Sequence, residues 1–161
     1  MASAKTKEFE IMIELGVGTG AATDALDMTD YVDIADNEAF EVHEVDIVLD
    51  PTESVASFGA PVEAIFQLAD SNIQAFVSHA DRTSLYVTRQ LFDSPATLAV
   101  FEQSSFSDIT PLVVNKTLFL RNQHDLAGQT LDYTLRIKGR IVKPSAKDYM
   151  ALVLTQTGNV A

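Results

Sequence analysis

Between Leu131 and Lys143 (LDYTLRIKGRIVK) apolar and basic side chains alternate. Tyr133, Leu135, Ile137, Gly139 and Ile141 share one face of a period-two ribbon, and Arg136, Lys138 and Arg140 stand in a row on the other. The pattern predicts a long strand with one face on a core and a basic face turned to water or to acid. The same period over Ala39–Leu49 puts Glu41, His43, Val45, Ile47 and Leu49 on one side and Val42, Glu44, Asp46 and Val48 on the other. Shorter apolar runs predict strands at Phe9–Val17, Val62–Leu68, Ile73–Ser78, Leu85–Leu91, Thr97–Phe101 (opened by Pro95), Val113–Leu120 and Tyr149–Thr155. Turn chemistry separates them, as in DPTES at 50–54 and KPSAKD at 143–148; a polar loop covers 102–110.

Eight or nine short strands, with no amphipathic helix of three turns, predict an all-β fold, an antiparallel β-sandwich. A helical period also fits Val62, Ile65, Phe66 and Ala69, and a helical turn fits near Ala25–Tyr31. Residues 18–38 carry no strand pattern and are expected to form a long acidic loop after the first strand, which Gly16, Gly18 and Gly20 end. The domain reading is a flexible N-terminal arm at 1–8, one sandwich domain at 9–156 and a loose tail at 157–161.

A chain of 161 residues suits one domain and buries roughly 70% of its extended-chain surface without a staple. It has no cysteine, which excludes disulfides, zinc–thiolate sites and cysteine nucleophiles. The start, MASAKTKEFE, does not read as a signal peptide, and no apolar run approaches the ~20 residues of a membrane helix. Net charge is −12, unevenly spread. Residues 1–80 hold 16 acids against Lys5 and Lys7, and residues 81–161 hold 9 bases against 7 acids. The halves are suited to pair with each other, or the acidic surface of one copy with the basic surface of the next.

Sites of chemistry are few. The glycines at 16, 18 and 20 lack the third glycine of a dinucleotide fingerprint, and no G-K-[ST] supplies a phosphate lysine. His43, His79 and His124 have no metal-ligand spacing, and no G-x-S-x-G marks a nucleophile. Asp24, Asp27, Asp30, Asp33 and Asp36, at every third position, are the candidate oxygen ligands for a weak calcium or magnesium site, although they lack the order of a helix–loop–helix calcium loop. The Asn115-Lys116-Thr117 sequon falls inside a predicted strand. The strongest candidate is the basic row Arg136, Lys138 and Arg140, extended by Lys143 and Lys147, facing either Glu44 and Asp46 or a second copy.

The segments EVHEVDIVLDPTES at 41–54, FVSHADRTSLYVTRQL at 76–91 and LRIKGRIVKPSAKDYMALVL at 135–154 resemble a small single-jelly-roll coat protein of a tailless icosahedral virus. The resemblance spans about residues 39–155 in pattern and carries no signature motif. It implies an eight-stranded sandwich that self-assembles into a virion shell with itself and other coat proteins, without turnover or cofactor. In such proteins the arm and long loops, here 1–8 and 18–38, commonly meet neighbouring copies. With only Lys5 and Lys7 in the arm, nucleic acid contact by that arm is not expected. A glycan- or ligand-binding β-sandwich module and a jelly-roll metal-dependent enzyme are the alternatives. The first needs exposed aromatics on a sheet face, and the second needs converging histidines and carboxylates.

Overall fold

The computed structural model describes residues 2–53, 58, 61–78, 80–93, 97–102 and 111–157. Ten strands are placed: β1 Ser3–Ala4, β2 Phe9–Val17, β3 Ala22–Asp27, β4 Ala39–Leu49, β5 Val62–Ala69, β6 Ser84–Asp93, β7 Thr97–Glu102, β8 Leu112–Val113, β9 Thr117–His124 and β10 Leu131–Lys143. Among the described residues one α-helix, α1, spans Ala146–Thr157, and a short 3-10 turn covers Ile34–Asp36.

The strands form two antiparallel sheets. In the first, β10 lies between β4 and the collinear pair β1 and β2, and β4 carries β8 on its other side. The second runs β3-β9-β5-β6-β7. The pairings are nested along the chain: β2 with β10, β3 with β9, β4 with β8, β5 with β6. The chain thus closes like one long hairpin, folded so that β10 also meets β4 and β9 also meets β5.

The core lies where the two inner faces meet. β10 contributes Leu131, Tyr133, Leu135, Ile137 and Ile141, as its alternation predicted, and β5 contributes Val62, Ala64, Phe66 and Leu68 from the opposite sheet. Tyr133 meets Phe66 edge-on with ring centroids 4.8 Å apart, a contact of the kind that adds about 0.5–1.5 kcal/mol beyond area burial.

Five sequence expectations change. First, Tyr149–Thr155 is not a strand but part of α1. Ser145 caps it: its Oγ accepts from Asp148 N at 3.2 Å and donates to Asp148 Oδ2 at 2.7 Å. Tyr149 packs with Ala39, Val114 and Val142 in a second, smaller cluster. Gln156 closes the edge of β8, accepting from Val114 N at 3.0 Å and donating to Leu112 O at 2.6 Å. Second, the acidic stretch is not one long loop, because β3 occupies Ala22–Asp27 and pairs with β9. β3 buries only Leu26, so no alternation announces it. Third, Val113–Leu120 divides between the sheets as β8 and β9, with the crossing at 114–116 held by Asn115 Nδ2 donating to Asp70 O. Fourth, Ile73–Ser78 pairs with no strand. It lies over the outer face of the second sheet, where the Gln67 amide donates to Val77 O and accepts from Val77 N, both at 2.9 Å. Fifth, residues 2–8 are not a free arm. β1 pairs with Val142–Lys143, Lys5 N donates to Ile141 O at 2.9 Å, and Ile141 N donates to Thr6 Oγ1 at 3.0 Å. Pro95, the 103–110 part of the polar loop, His79 and the 158–161 part of the tail lie outside the described residues.

β4 carries the feature that positions the site. Phe40 and Val42 are buried, and so are Val45 and Ile47; the step from 42 to 45 holds one residue more than alternation allows. The pairing with β10 slips there, since Lys138 faces Glu44 but Gly139 faces Val42. This is a β-bulge with His43 as the extra residue, and it puts His43 on the outer face beside Glu44. Opposite it, Gly139 lets the bulged backbone approach. A Cβ there would fall inside the van der Waals envelope of the Glu41 carbonyl oxygen and 2.7 Å from Phe40 Cζ.

Candidate functional site

The outer face of the first sheet collects the charged positions that alternation turned away from the core. β10 supplies Arg136, Lys138 and Arg140. The strands on either side are acidic: Glu10 and Glu14 on β2, with Glu8 just before it, and Glu41, Glu44 and Asp46 on β4. The register sets Arg136 opposite Asp46 and Lys138 opposite Glu44, the pairing the sequence suggested. Within 4.0 Å, however, these cations reach other carboxylates. Arg136 meets Glu10 at 3.0 Å, Lys138 meets Glu8 at 3.2 Å, and Arg140 Nε donates to Glu41 Oε2. Glu44 and Asp46 form no ion pair within 4.0 Å among the described residues, and line a small cleft with Glu10, Arg136 and Lys138.

His43 ties the two acidic strands together across β10. Its Nδ1 faces Glu8 Oε2, and its Nε2 lies 3.2 Å from Glu41 Oε2. The hydrogen bond from His43, and then the one from Lys138, hold the Glu8 carboxyl below the usual carboxylate range. The network runs Lys138–Glu8–His43–Glu41–Arg140; the period-two pattern did set Glu41 and His43 on one face, but the bulge separates them from Val45 and Ile47, which are buried, and joins them to Glu44 and Asp46.

A second group lies at the far end of β10. Lys143 donates to Asp36 Oδ1 at 2.7 Å and Lys5 to Asp36 Oδ2 at 3.1 Å; Lys5 also pairs with the buried Glu38. The Lys143 bond, then the Lys5 bond, lower the Asp36 pKa; the Lys5 bond lowers that of Glu38 against the opposing effect of burial. The Lys5 ammonium is raised in turn, chiefly by Glu38. Lys147 is exposed in the first turn of α1 and forms no ion pair among the described residues.

The five aspartates proposed as cation ligands are not brought together. Asp24 accepts from Asn122 Nδ2 at 2.7 Å, and Asp27 Oδ1 accepts from Thr29 N and Oγ1 at 2.8 and 2.6 Å. Asp30 is exposed in a turn, Asp33 Oδ1 caps Ala35 N at 2.9 Å, and Asp36 is held by the two lysines. Spacing by three gathers side chains only on a helix, and here the stretch is a strand followed by a turn. Among the described residues, no group of three or more His, Asp or Glu side chains is placed to hold a metal. His124 is buried between the sheets, its Nδ1 accepting from Leu126 N at 3.0 Å, far in role from the surface His43.

Electrostatically, the face holds three permanent cations among six carboxylates, so it presents net negative charge to any partner. Exposed pairs of this kind contribute about 0–1 kcal/mol each and screen with salt. What the arrangement does is fix strand register and mark a surface that attracts cations and repels phosphate.

The fold and this face together define an all-β, two-sheet sandwich with a charged, largely self-compensated outer surface. In comparisons with known proteins, no family model matches the chain and no curated protein sequence matches it. No helix among the described residues is long and apolar enough to cross a membrane.

Proposed function

We propose that the chain is a non-catalytic structural subunit, a single jelly roll that self-assembles into a viral capsid shell and works as part of the virion. The observation that carries this reading is the nested pairing of eight principal strands. Taken without β1 and β7, the sheets run β2-β10-β4-β8 and β3-β9-β5-β6. This order supports the reading, because wrapping one long antiparallel hairpin into two Greek keys, as in the jelly rolls of capsid and lectin domains among others, would produce it.

The division of charge supports contacts between copies. The acidic outer face, rich in residues from the first half of the chain, is complementary to basic groups such as Arg89 and Lys116 that lie elsewhere on the fold. Against the glycan alternative, Tyr86, Tyr133 and Tyr149 are all buried, so none offers a stacking platform. Against the metal-enzyme alternative, His43 and His124 do not share a site. Net charge of −12 weighs against direct packaging of nucleic acid, and the reading calls for no cofactor.

The test is the size of the purified protein by light scattering and negative-stain electron microscopy, with calcium and with chelator. Rings or closed particles are expected. A species that stays monomeric at every concentration up to the millimolar range, in both conditions, refutes the proposal.

A further inference from the structure

We infer that His43 is a proton-operated clasp that holds the N-terminal segment against the sheet, so that residues 2–8 are fastened when the imidazole is charged and loosened when it is neutral. Both ring nitrogens face carboxylate oxygens: Nδ1 that of Glu8, Nε2 that of Glu41 at 3.2 Å. Carboxylates only accept, and a neutral imidazole carries a single N–H; only the imidazolium donates to both. A neutral ring leaves one nitrogen lone pair against a carboxylate, which repels it.

The two carboxylates belong to different parts of the chain. Glu41 is in β4, whereas Glu8 ends the N-terminal segment that runs along the upper edge of β10. That segment is lightly held. Two strand positions pair at Ser3–Ala4, Lys5 N and Thr6 Oγ1 bond to Ile141, and Lys5 meets Asp36 and Glu38. Glu8 comes from the segment, Glu41 from β4, and Lys138 and Arg140 from β10 engage those same two carboxylates. Glu44, next to His43 at the bulge, adds a further carboxylate on the same face. Among the side-chain types present here, imidazole is the one that can exchange a single N–H for two near neutral pH. Loss of the ring's charge therefore unfastens the Glu8 carboxylate from β4 and leaves that carboxylate on Lys138.

The bulge is what makes this device work. Alternation carried back from Ile47 and Val45 would turn His43 inward and Val42 outward; the extra residue reverses both, and Gly139 is the position that admits the bulge. The pairs are partly exposed, so the effect is a change in population: opening of the segment rises about two- to fivefold from pH 6 to pH 8.

Native-state amide exchange reads this directly. The probes are Lys5 N–H and Ile141 N–H, corrected for the intrinsic pH dependence of exchange, in the wild-type chain and in His43→Gln. The wild type is expected to lose about two- to fivefold protection at both amides between pH 6 and pH 8. His43→Gln is expected to show one value at both pH values, near that of wild type at pH 8. His79 and His124 are present in both proteins and cancel in the comparison. Equal wild-type protection at the two pH values overturns the inference, as does a His43→Gln chain that keeps the wild-type pH dependence. Should His43→Gln fail to fold, Glu8→Gln carries the same two expectations.

Discussion

The bulge in β4 rests on the absence of a side chain at Gly139, and Gly139→Ala tests the reasoning most sharply. An alanine Cβ would overlap the Glu41 carbonyl oxygen and lie 2.7 and 3.1 Å from Phe40 Cζ and Cε2, where carbon–carbon contact is comfortable near 3.5–4.0 Å. The ring has little room to yield, since Phe40 is fully buried and its centroid lies 5.7 Å from that of Phe9. Nor does the carbonyl, because Glu41 is paired with Arg140 on one side and Leu112 on the other. Overpacking of this kind costs about 1–3 kcal/mol. The lost chain entropy of glycine in the unfolded state returns about 0.4–1 kcal/mol. The net expectation is a loss of about 1–1.5 kcal/mol, or a fall in Tm of roughly 3–5 °C for a domain this size. Gly20→Ala is the control: nothing lies within 4 Å of its Cβ, and the same entropy effect acts there without a clash. The assay is thermal melting by circular dichroism with urea unfolding at pH 7. If Gly139→Ala melts within a degree of wild type while Gly20→Ala is neutral or slightly stabilised, the close approach at the bulge is wrong.

Three further outcomes are expected. Asp70 is buried, and desolvation pushes its pKa up to about 6. An acid raised in the folded state makes the native form bind more protons, so stability is highest below the unfolded value near 4 and falls as pH rises through 6. Asp70→Asn should therefore flatten this part of the pH–stability curve and recover up to about 3 kcal/mol at pH 7, and an unchanged curve counts against burial as the cause. Lys138→Glu with Arg140→Glu sets acids against Glu8 and Glu41 and should lower Tm by several degrees in low salt and by visibly less in 0.5 M NaCl, as exposed pairs do. Equal shifts at both salt concentrations would mean that the effect is packing rather than charge. Gln156→Ala strips the partners of Val114 N and Leu112 O and should cost about 1–3 kcal/mol, with fast amide exchange at Val114; retained protection there would remove Gln156 as the cover of the β8 edge.

Much of the fold was legible where burial alternates strictly. β10 shows the clean case: its inner and outer faces are those that the period-two pattern assigned, from Leu131 to Ile141. α1 was missed, because the apolar run at 149–155 reads as a strand and KPSAKD as a turn, although the Ser145–Asp148 spacing is that of a helix cap. The acidic segment hides β3 because an edge strand with one buried residue has no period to show. Within the site, the basic row and its acidic neighbours were visible as residue types. Their actual partners were not: Glu8 and Glu10 stand more than 120 residues from the cations that they meet, and no local pattern links them.

By itself, then, the amino-acid order determined which side chains seek a core and which seek water. It set the strand-rich class of the fold, the excess of acid in the first half and the exclusion of thiol chemistry. Tertiary structure decided the rest: that 113–120 splits between two sheets, that His43 is expelled to the outer face, and that Asp36 serves two lysines rather than a cation. The reason is that alternation is a property of neighbours along the chain, whereas register, bulges and ion-pair partners depend on which distant strand lies alongside. A shift of one residue in that register exchanges every inner side chain for an outer one.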